Sequence, residues 1–250
     1  MNNINMVKGK IHSYHTLTAI DGPGLRFLLF LQGCPLRCMY CHNPDSWLPE
    51  DFKEERTAEE ILEMFNKYRK ICSGGITISG GEPLMQRDFL SELVHLFRAE
   101  GIHTAIDTAG SVPLNDSMQL VADTDLFILD IKHSNTEKYH KLTGGDLNIT
   151  LSNAKLLSDS GKKMWIRYVL VPGITDDIED IKKEAEIIAE LNGVEKVVVL
   201  PYSTLGREKW KKLNYTYQLE NVEPPTKELI EMTKKSLEMQ DFLFRRETAK

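Results

Sequence analysis

Three of the four cysteines lie within eight residues, as Cys34-x3-Cys38-x2-Cys41, and Cys72 stands apart. Thiolates at that spacing can wrap three corners of an iron–sulfur cube, each sulfur meeting one iron. A cube has four irons, so three cysteines leave one iron open to a ligand from outside the protein. The competing reading is a zinc site made of the three cysteines with His42 or Cys72. Structural zinc usually draws on two paired ligand clusters, and the sequence holds no second Cys-x2-Cys. Cys72 reads as a buried small residue, the common fate of a lone cysteine.

Other polar residues gather where short apolar runs end. Arg26 to Leu31 reads as a first strand and leads into the cysteine loop. Gly75 to Ser79 reads as a second, followed by Gly80, Gly81, Glu82 and Pro83. Ile102 to Thr108 ends at Asp107-Thr108, and Asp125 to Ile131 ends at Asp130-Ile131-Lys132. Lys163 to Val171 carries Arg167 near its middle, and Glu195 to Leu200 runs into Pro201-Tyr202-Ser203. Buried charges without partners are costly, so six such placements point to one polar site.

The elements that position these groups alternate. Thr57 with Glu60 forms a capping box ahead of Ile61, Leu62 and Phe65 at helical spacing. Further helices are predicted over Asp88–Glu100, Leu114–Ala122, Ile149–Ser160 and Asp177–Leu191, with a last one at about 226–240. Six strand–helix repeats over about residues 26–200 imply parallel strands joined by right-handed crossovers. A doubly wound sheet and a partial barrel both fit the count; a complete eightfold barrel does not. In either, functional groups collect at the C-terminal ends of the strands.

Composition narrows the function classes. With 31 basic against 37 acidic residues the net charge is −6, which argues against nucleic-acid binding and a basic membrane-surface patch. The start, Met1 to Met6, lacks a basic region followed by an apolar run, and no apolar run is long enough to span a bilayer. A cytoplasmic, reducing setting is expected, where clustered cysteines mean metal or redox chemistry.

The loop from Cys34 to Cys41, with aromatic Tyr40 before its last cysteine, resembles the signature of radical S-adenosylmethionine enzymes. The turn Ser79-Gly80-Gly81-Glu82 resembles that family's second motif. The stretches Asp21-Gly22-Pro23-Gly24-Leu25-Arg26-Phe27, Tyr40-Cys41-His42-Asn43-Pro44, Leu129-Asp130-Ile131-Lys132 and Trp165 to Gly173 are similar to the pyruvate formate-lyase activating enzymes, which are glycyl radical enzyme activases. The likeness runs from about Gly9 to the last helix. One departure stands out. Where these activases usually have Pro-Tyr-His-x-Leu-Gly, the sequence has Pro201-Tyr202-Ser203-Thr204-Leu205-Gly206.

The resemblance implies one [4Fe–4S] cluster held by Cys34, Cys38 and Cys41, with S-adenosylmethionine on the open iron. It implies that Ser79, Gly80, Gly81 and Glu82 receive the methionine ammonium, and that Asp130, Ile131 and Lys132 lie by the ribose and carboxylate. Tyr40, His42 and the backbone near Val171 and Leu200 would line the adenine pocket, and Ser203 stands where the family's histidine lies near S-adenosylmethionine and the substrate peptide. Asp107, Thr108 and the carbonyl of Ile128 resemble a monovalent-cation site. Asp21, Arg167 and Lys132 are the expected catalytic residues, the first two as contacts to a substrate peptide. The implied substrate is a glycine in a glycyl radical enzyme, and the implied reductant a flavodoxin or ferredoxin. The expected fold is α/β, a partial (β/α)6 barrel of parallel strands with outer helices. Residues 1–250 would form a single, monomeric radical S-adenosylmethionine domain. A radical enzyme acting on a small molecule or on another glycyl radical partner, and a non-catalytic zinc or cluster module, are the alternatives.

Overall fold

The computed structural model describes residues 7–247, with side chains as far as 237. Met1–Met6, read above for a signal peptide, and the side chains of 238–240 in the expected last helix lie outside the described residues. Among the described residues the architecture is mixed α/β, with eight strands in a mostly parallel, open arrangement and helices between them. The chain divides into two compact units.

The first unit holds the residues up to Pro35, 46–108 and 112–128. Its strands are β1 (Gly9–Thr18), β2 (Arg26–Leu31), β3 (Glu54–Arg56), β4 (Gly75–Gly80), β5 (Thr104–Thr108) and most of β6 (Leu126–Asp130), in the order β3-β1-β2-β4-β5-β6. β2 is an apolar run buried along almost its whole length. It pairs parallel with β4 from Arg26↔Gly75 to Leu31↔Gly80, so both strands end together. Helices α1 (Ala58–Asn66), α2 (Arg87–Ala99) and α3 (Met118–Asp123) belong to the same unit. The expected capping box starts α1: Thr57 Oγ1 accepts from the Glu60 amide and Glu60 Oε2 from the Thr57 amide. Phe27 packs edge-on to Phe65, and Phe65 edge-on to Phe97, which ties β2, α1 and α2 into one core.

The second unit holds residues 36–45, 109–111 and those from 129 onward. It contains α4 (Thr136–Thr143), α5 (Leu147–Asp159), β7 (Lys163–Leu170), α6 (Ile178–Ala189), β8 (Val194–Pro201), α7 (Arg207–Lys212) and α8 (Lys227–Glu247). β7 pairs parallel with β8. Asp146 and Asp177 cap α5 and α6 by accepting from free amides of the first turn.

All six predicted strands and six predicted helices are present. β1 and β3 are additional and antiparallel, and α4 and α7 are additional helices. The helix expected from Leu114 begins at Met118, because the Ser117 amide closes a turn on the Leu114 carbonyl. Among the described residues no helix is long and apolar enough to cross a membrane.

One buried acid makes stability depend on pH. Glu184 in α6 is fully buried, neither carboxyl oxygen has a hydrogen-bond partner, and burial pushes its pKa well above the usual carboxylate range. Folding therefore takes up a proton that the unfolded chain releases above about pH 4.5, so this contribution falls as pH rises. Glu184→Gln should match the parent in thermal melts near pH 5. Its advantage should grow by about 1.4 kcal/mol per pH unit toward pH 8, until the folded pKa is reached. A gap that does not change with pH would contradict this reading.

Candidate functional site

In the first unit the strand ends meet backbone to backbone. Gly33 and Gly80 have φ of +99° and +126°, in the region that favours glycine. The Gly81 amide donates to the Leu31 carbonyl at 2.9 Å and the Glu82 amide to the Gly33 carbonyl at 2.8 Å. A Cβ on Gly80 would stand 2.2 Å from the Leu31 oxygen, and one on Gly81 2.2 Å from the Gly33 oxygen and 3.1 Å from Cys34 Cβ. The glycine turn is thus pressed directly against the start of the cysteine loop.

Polar side chains surround that contact. Ser79 Oγ donates to Asp107 Oδ2 at 2.8 Å, joining the ends of β4 and β5. The carboxylate of Glu82, fully buried, accepts from the Leu84 amide and from Thr108 Oγ1. Ser79–Asp107 and Glu82–Thr108 are thus two hydrogen-bonded pairs between neighbouring strand ends. Asp21 is placed differently. Its side chain accepts from Thr18 Oγ1 and its carbonyl from Thr77 Oγ1, in the loop that precedes β2. Cys72 is buried and its thiol donates to the Thr16 carbonyl. It precedes β4 whereas Cys34 follows β2, so roughly 15 Å or more of parallel strand separates them. That separation removes Cys72 from any shared site with Cys34.

The second unit carries the remaining predicted residues. Lys132 Nζ bonds Asp130 Oδ2 at 2.8 Å and lies 5.7 Å from the centre of the Tyr40 ring. Burial works against the Lys132 charge, yet Asp130, Tyr40 and Cys38 outweigh it and leave its pKa raised. Burial pushes the Cys38 thiol up to about 12 despite the nearby Lys132. His42 Nε2 lies 3.2 Å from Ser203 Oγ, so the hydroxyl at the departed position bonds the loop histidine. Ile131 is buried beside Lys132, and Arg167 is buried within β7.

Residues 28–185 match the Radical SAM superfamily. The chain belongs to it. Two pyruvate formate-lyase-activating enzymes, from Staphylococcus epidermidis and Staphylococcus aureus, are 47% and 44% identical over 235 residues. Each alignment covers 90% of this chain and 93% of the relative, which places the chain in that activating-enzyme family within the superfamily. Among solved structures, a domain of pyruvate-formate lyase-activating enzyme from Bacteroides vulgatus has TM-score 0.57 at 22% identity, covering 67% of this chain and 94% of that one. Streptococcus suis SuiB bound to precursor peptide SuiA has TM-score 0.65 at 18% identity, covering 84% of this chain and 45% of that one. These two share the fold.

Membership of the radical SAM superfamily implies a [4Fe–4S] cluster and S-adenosylmethionine, and the residues present fit both. Cys34, Cys38 and Cys41 form no disulfide, and Cys38 is the buried one of the three. Metal coordination would stabilise the thiolate that burial disfavours at Cys38. Among the described residues no three His, Cys, Asp or Glu side chains converge on one metal ion. A cube asks for something else, one thiolate on each of three irons. Two buried polar atoms of the second unit, Tyr40 Oη and Asp130 Oδ1, have no hydrogen-bond partner, as expected of groups that await a polar ligand.

Several radical SAM loop contacts escaped the sequence reading. The Arg37 and Met39 amides donate to the Thr143 and Leu142 carbonyls at the end of α4. Trp210 Nε1 donates to the Cys41 carbonyl at 2.8 Å, and Gly206 has no room for a Cβ against that same oxygen. A lone tryptophan within the basic run Arg207–Lys212 was the available signal. Arg26, fully buried, binds the carbonyls of Pro23, Gly74 and Ile76 together with Thr77 Oγ1. It fixes the Asp21 loop, and burial draws its pKa down to about 10.

The backbone contact is testable. Gly80→Ala meets both a strained φ and the Leu31 carbonyl, and should cost more than about 3 kcal/mol in denaturant unfolding. Gly101→Ala, at φ +66° with open space around it, should cost only about 1–2 kcal/mol. Equal costs would contradict the close approach.

Proposed function

We propose that this chain activates pyruvate formate-lyase by reductive cleavage of S-adenosylmethionine. The family relationship over 90% of the chain carries this reading, supported by three cysteines of one loop that form no disulfide and by two unpartnered buried polar atoms. When bound, the reduced cluster supplies one electron to the sulfonium, releasing methionine and a 5′-deoxyadenosyl radical that takes a hydrogen atom from a backbone glycine of the partner.

The chain's residues orient and shield that chemistry. Cys34, Cys38 and Cys41 hold the cluster. Gly80 and Gly81 allow the backbone approach that brings the Ser79–Glu82 turn to the methionine ammonium. Lys132 and Asp130 form an ion pair whose open oxygen, Asp130 Oδ1, accepts from the nucleoside, with Ile131 packed beside it. Tyr40 and His42 line the adenine side, and Ser203, bonded to His42 through its hydroxyl, stands near S-adenosylmethionine in place of the family's histidine. Asp107, Thr108 and the Ile128 carbonyl take a monovalent cation. Asp21 and Arg167 receive the substrate peptide, Asp21 from the loop that Arg26 braces. The reading includes a cytoplasmic monomer that works as one domain and is reduced by a flavodoxin or ferredoxin.

Anaerobic reconstitution followed by iron and sulfide analysis tests the ligand set. Cys34→Ser, Cys38→Ser and Cys41→Ser should each lose the cluster, and Cys72→Ser should keep full iron. Under dithionite the parent should convert S-adenosylmethionine to 5′-deoxyadenosine and methionine. Zinc without sulfide, or a reduced cluster that leaves S-adenosylmethionine intact, would overturn the proposal.

A further inference from the structure

The cysteine loop is joined to the protein surface by one short element of the second unit. Three residues, Gly206, Lys209 and Trp210, fix α7 to residues 41–45. The buried Trp210 donates its indole N–H to the Cys41 carbonyl. Gly206, just ahead of the helix, lies against that carbonyl too closely for any larger residue. Lys209 Nζ bonds Asn43 Oδ1 at 2.8 Å and Asp45 Oδ1 at 3.0 Å. Away from the loop, the Trp210 ring meets Tyr217 and Tyr215 edge-on, with centroids 5.2 and 6.3 Å away. Tyr215 reaches the surface.

The outer side of α7 has the opposite charge to the protein. Residues 207–212 contain four cations and one carboxylate, in a chain whose net charge is −6. Lys211 and Lys212 are exposed and make no ion pair among the described residues. Leu205, one turn earlier, is 80% exposed. A basic, partly apolar face recruits an acidic partner by steering it in solution. A hydrogen-bonded aromatic beneath that face connects it to a cluster-bearing residue.

We propose that α7 is the docking and electron-entry site for an acidic one-electron carrier protein. Lys211, Lys212 and Leu205 receive the carrier, and Trp210 links it to Cys41. One electron leaves the reduced carrier and one enters the cluster; no bond breaks and no proton moves. The proposal rests on the cluster assignment made above, and the test separates the two.

Surface plasmon resonance with a purified acidic flavodoxin reads docking directly. Lys211→Glu/Lys212→Glu should weaken binding about tenfold or more at low salt. The difference should shrink as salt rises. Reversal of two cations elsewhere, Lys155→Glu/Lys163→Glu, should weaken it far less. Stopped-flow reduction of the cluster by the flavodoxin should slow in the Lys211/Lys212 variant, while cleavage driven by dithionite, which needs no docking, stays at the parent rate. Trp210→Phe should bind the flavodoxin as the parent does and accept its electron more slowly. Equal affinity of the parent and the Lys211/Lys212 variant at low salt would overturn the docking site. Unchanged reduction in Trp210→Phe would overturn the link through Trp210. Failure of the parent itself under dithionite would fall on the functional reading instead. If the double reversal does not fold, Lys211→Gln and Lys212→Gln should each give a smaller weakening of the same sign, and no weakening in either would count against the site.

Discussion

The close approach of two backbones at the ends of β2 and β4 sets the terms for everything around it. Because both strands are parallel and end in step at Leu31 and Gly80, the segments that follow them are forced to share one space. Only glycine at 80 and 81 leaves room, since a Cβ at either would fall 2.2 Å from a carbonyl oxygen. The result is a turn whose amides bond the Leu31 and Gly33 carbonyls just before Cys34. A bound ligand on this surface would meet main-chain atoms directly. Glu82 and Ser79, carried by the same turn, are held by Thr108 and Asp107 on the next strand.

Charge is handled differently in the second unit. Lys132 is buried, yet its ammonium has Asp130 at 2.8 Å and the face of Tyr40 at 5.7 Å. A buried lysine paired in this way stays charged, and it lies close enough to Cys38 to favour its thiolate. Burial outweighs that pull and keeps the thiol protonated. The unpartnered Asp130 Oδ1 and Tyr40 Oη leave polar capacity unused, which a protein retains at a cost unless a ligand takes it up. α4 and α7 then fasten the loop through the Arg37 and Met39 amides and the Cys41 carbonyl.

Much of this was readable from residue order. β2, β4 and β7 are apolar runs bounded by glycine or proline, and α1 announces itself with Thr57 and Glu60. The polar strand ends were readable because charge next to an apolar run is costly to bury alone. β1 was not readable. Its sequence, GKIHSYHTLT, alternates poorly, and only its first half is buried, so pairing with β2 rather than local pattern makes it a strand. α4 is only eight residues long and is polar apart from Tyr139 and Leu142. The Trp210 bond to Cys41 joins residues 169 apart, a separation that no local spacing encodes. Asp21 shows the opposite limit: motif likeness named the residue, but only the fold shows it on the loop braced by Arg26, ahead of β2.

The central claim is that this chain places a radical on a protein glycine. Electron paramagnetic resonance of pyruvate formate-lyase, incubated anaerobically with the reduced, reconstituted protein and S-adenosylmethionine, measures that outcome directly. The account predicts a stable glycyl radical doublet that requires both the protein and S-adenosylmethionine. Cleavage of S-adenosylmethionine to 5′-deoxyadenosine with no such doublet would contradict it.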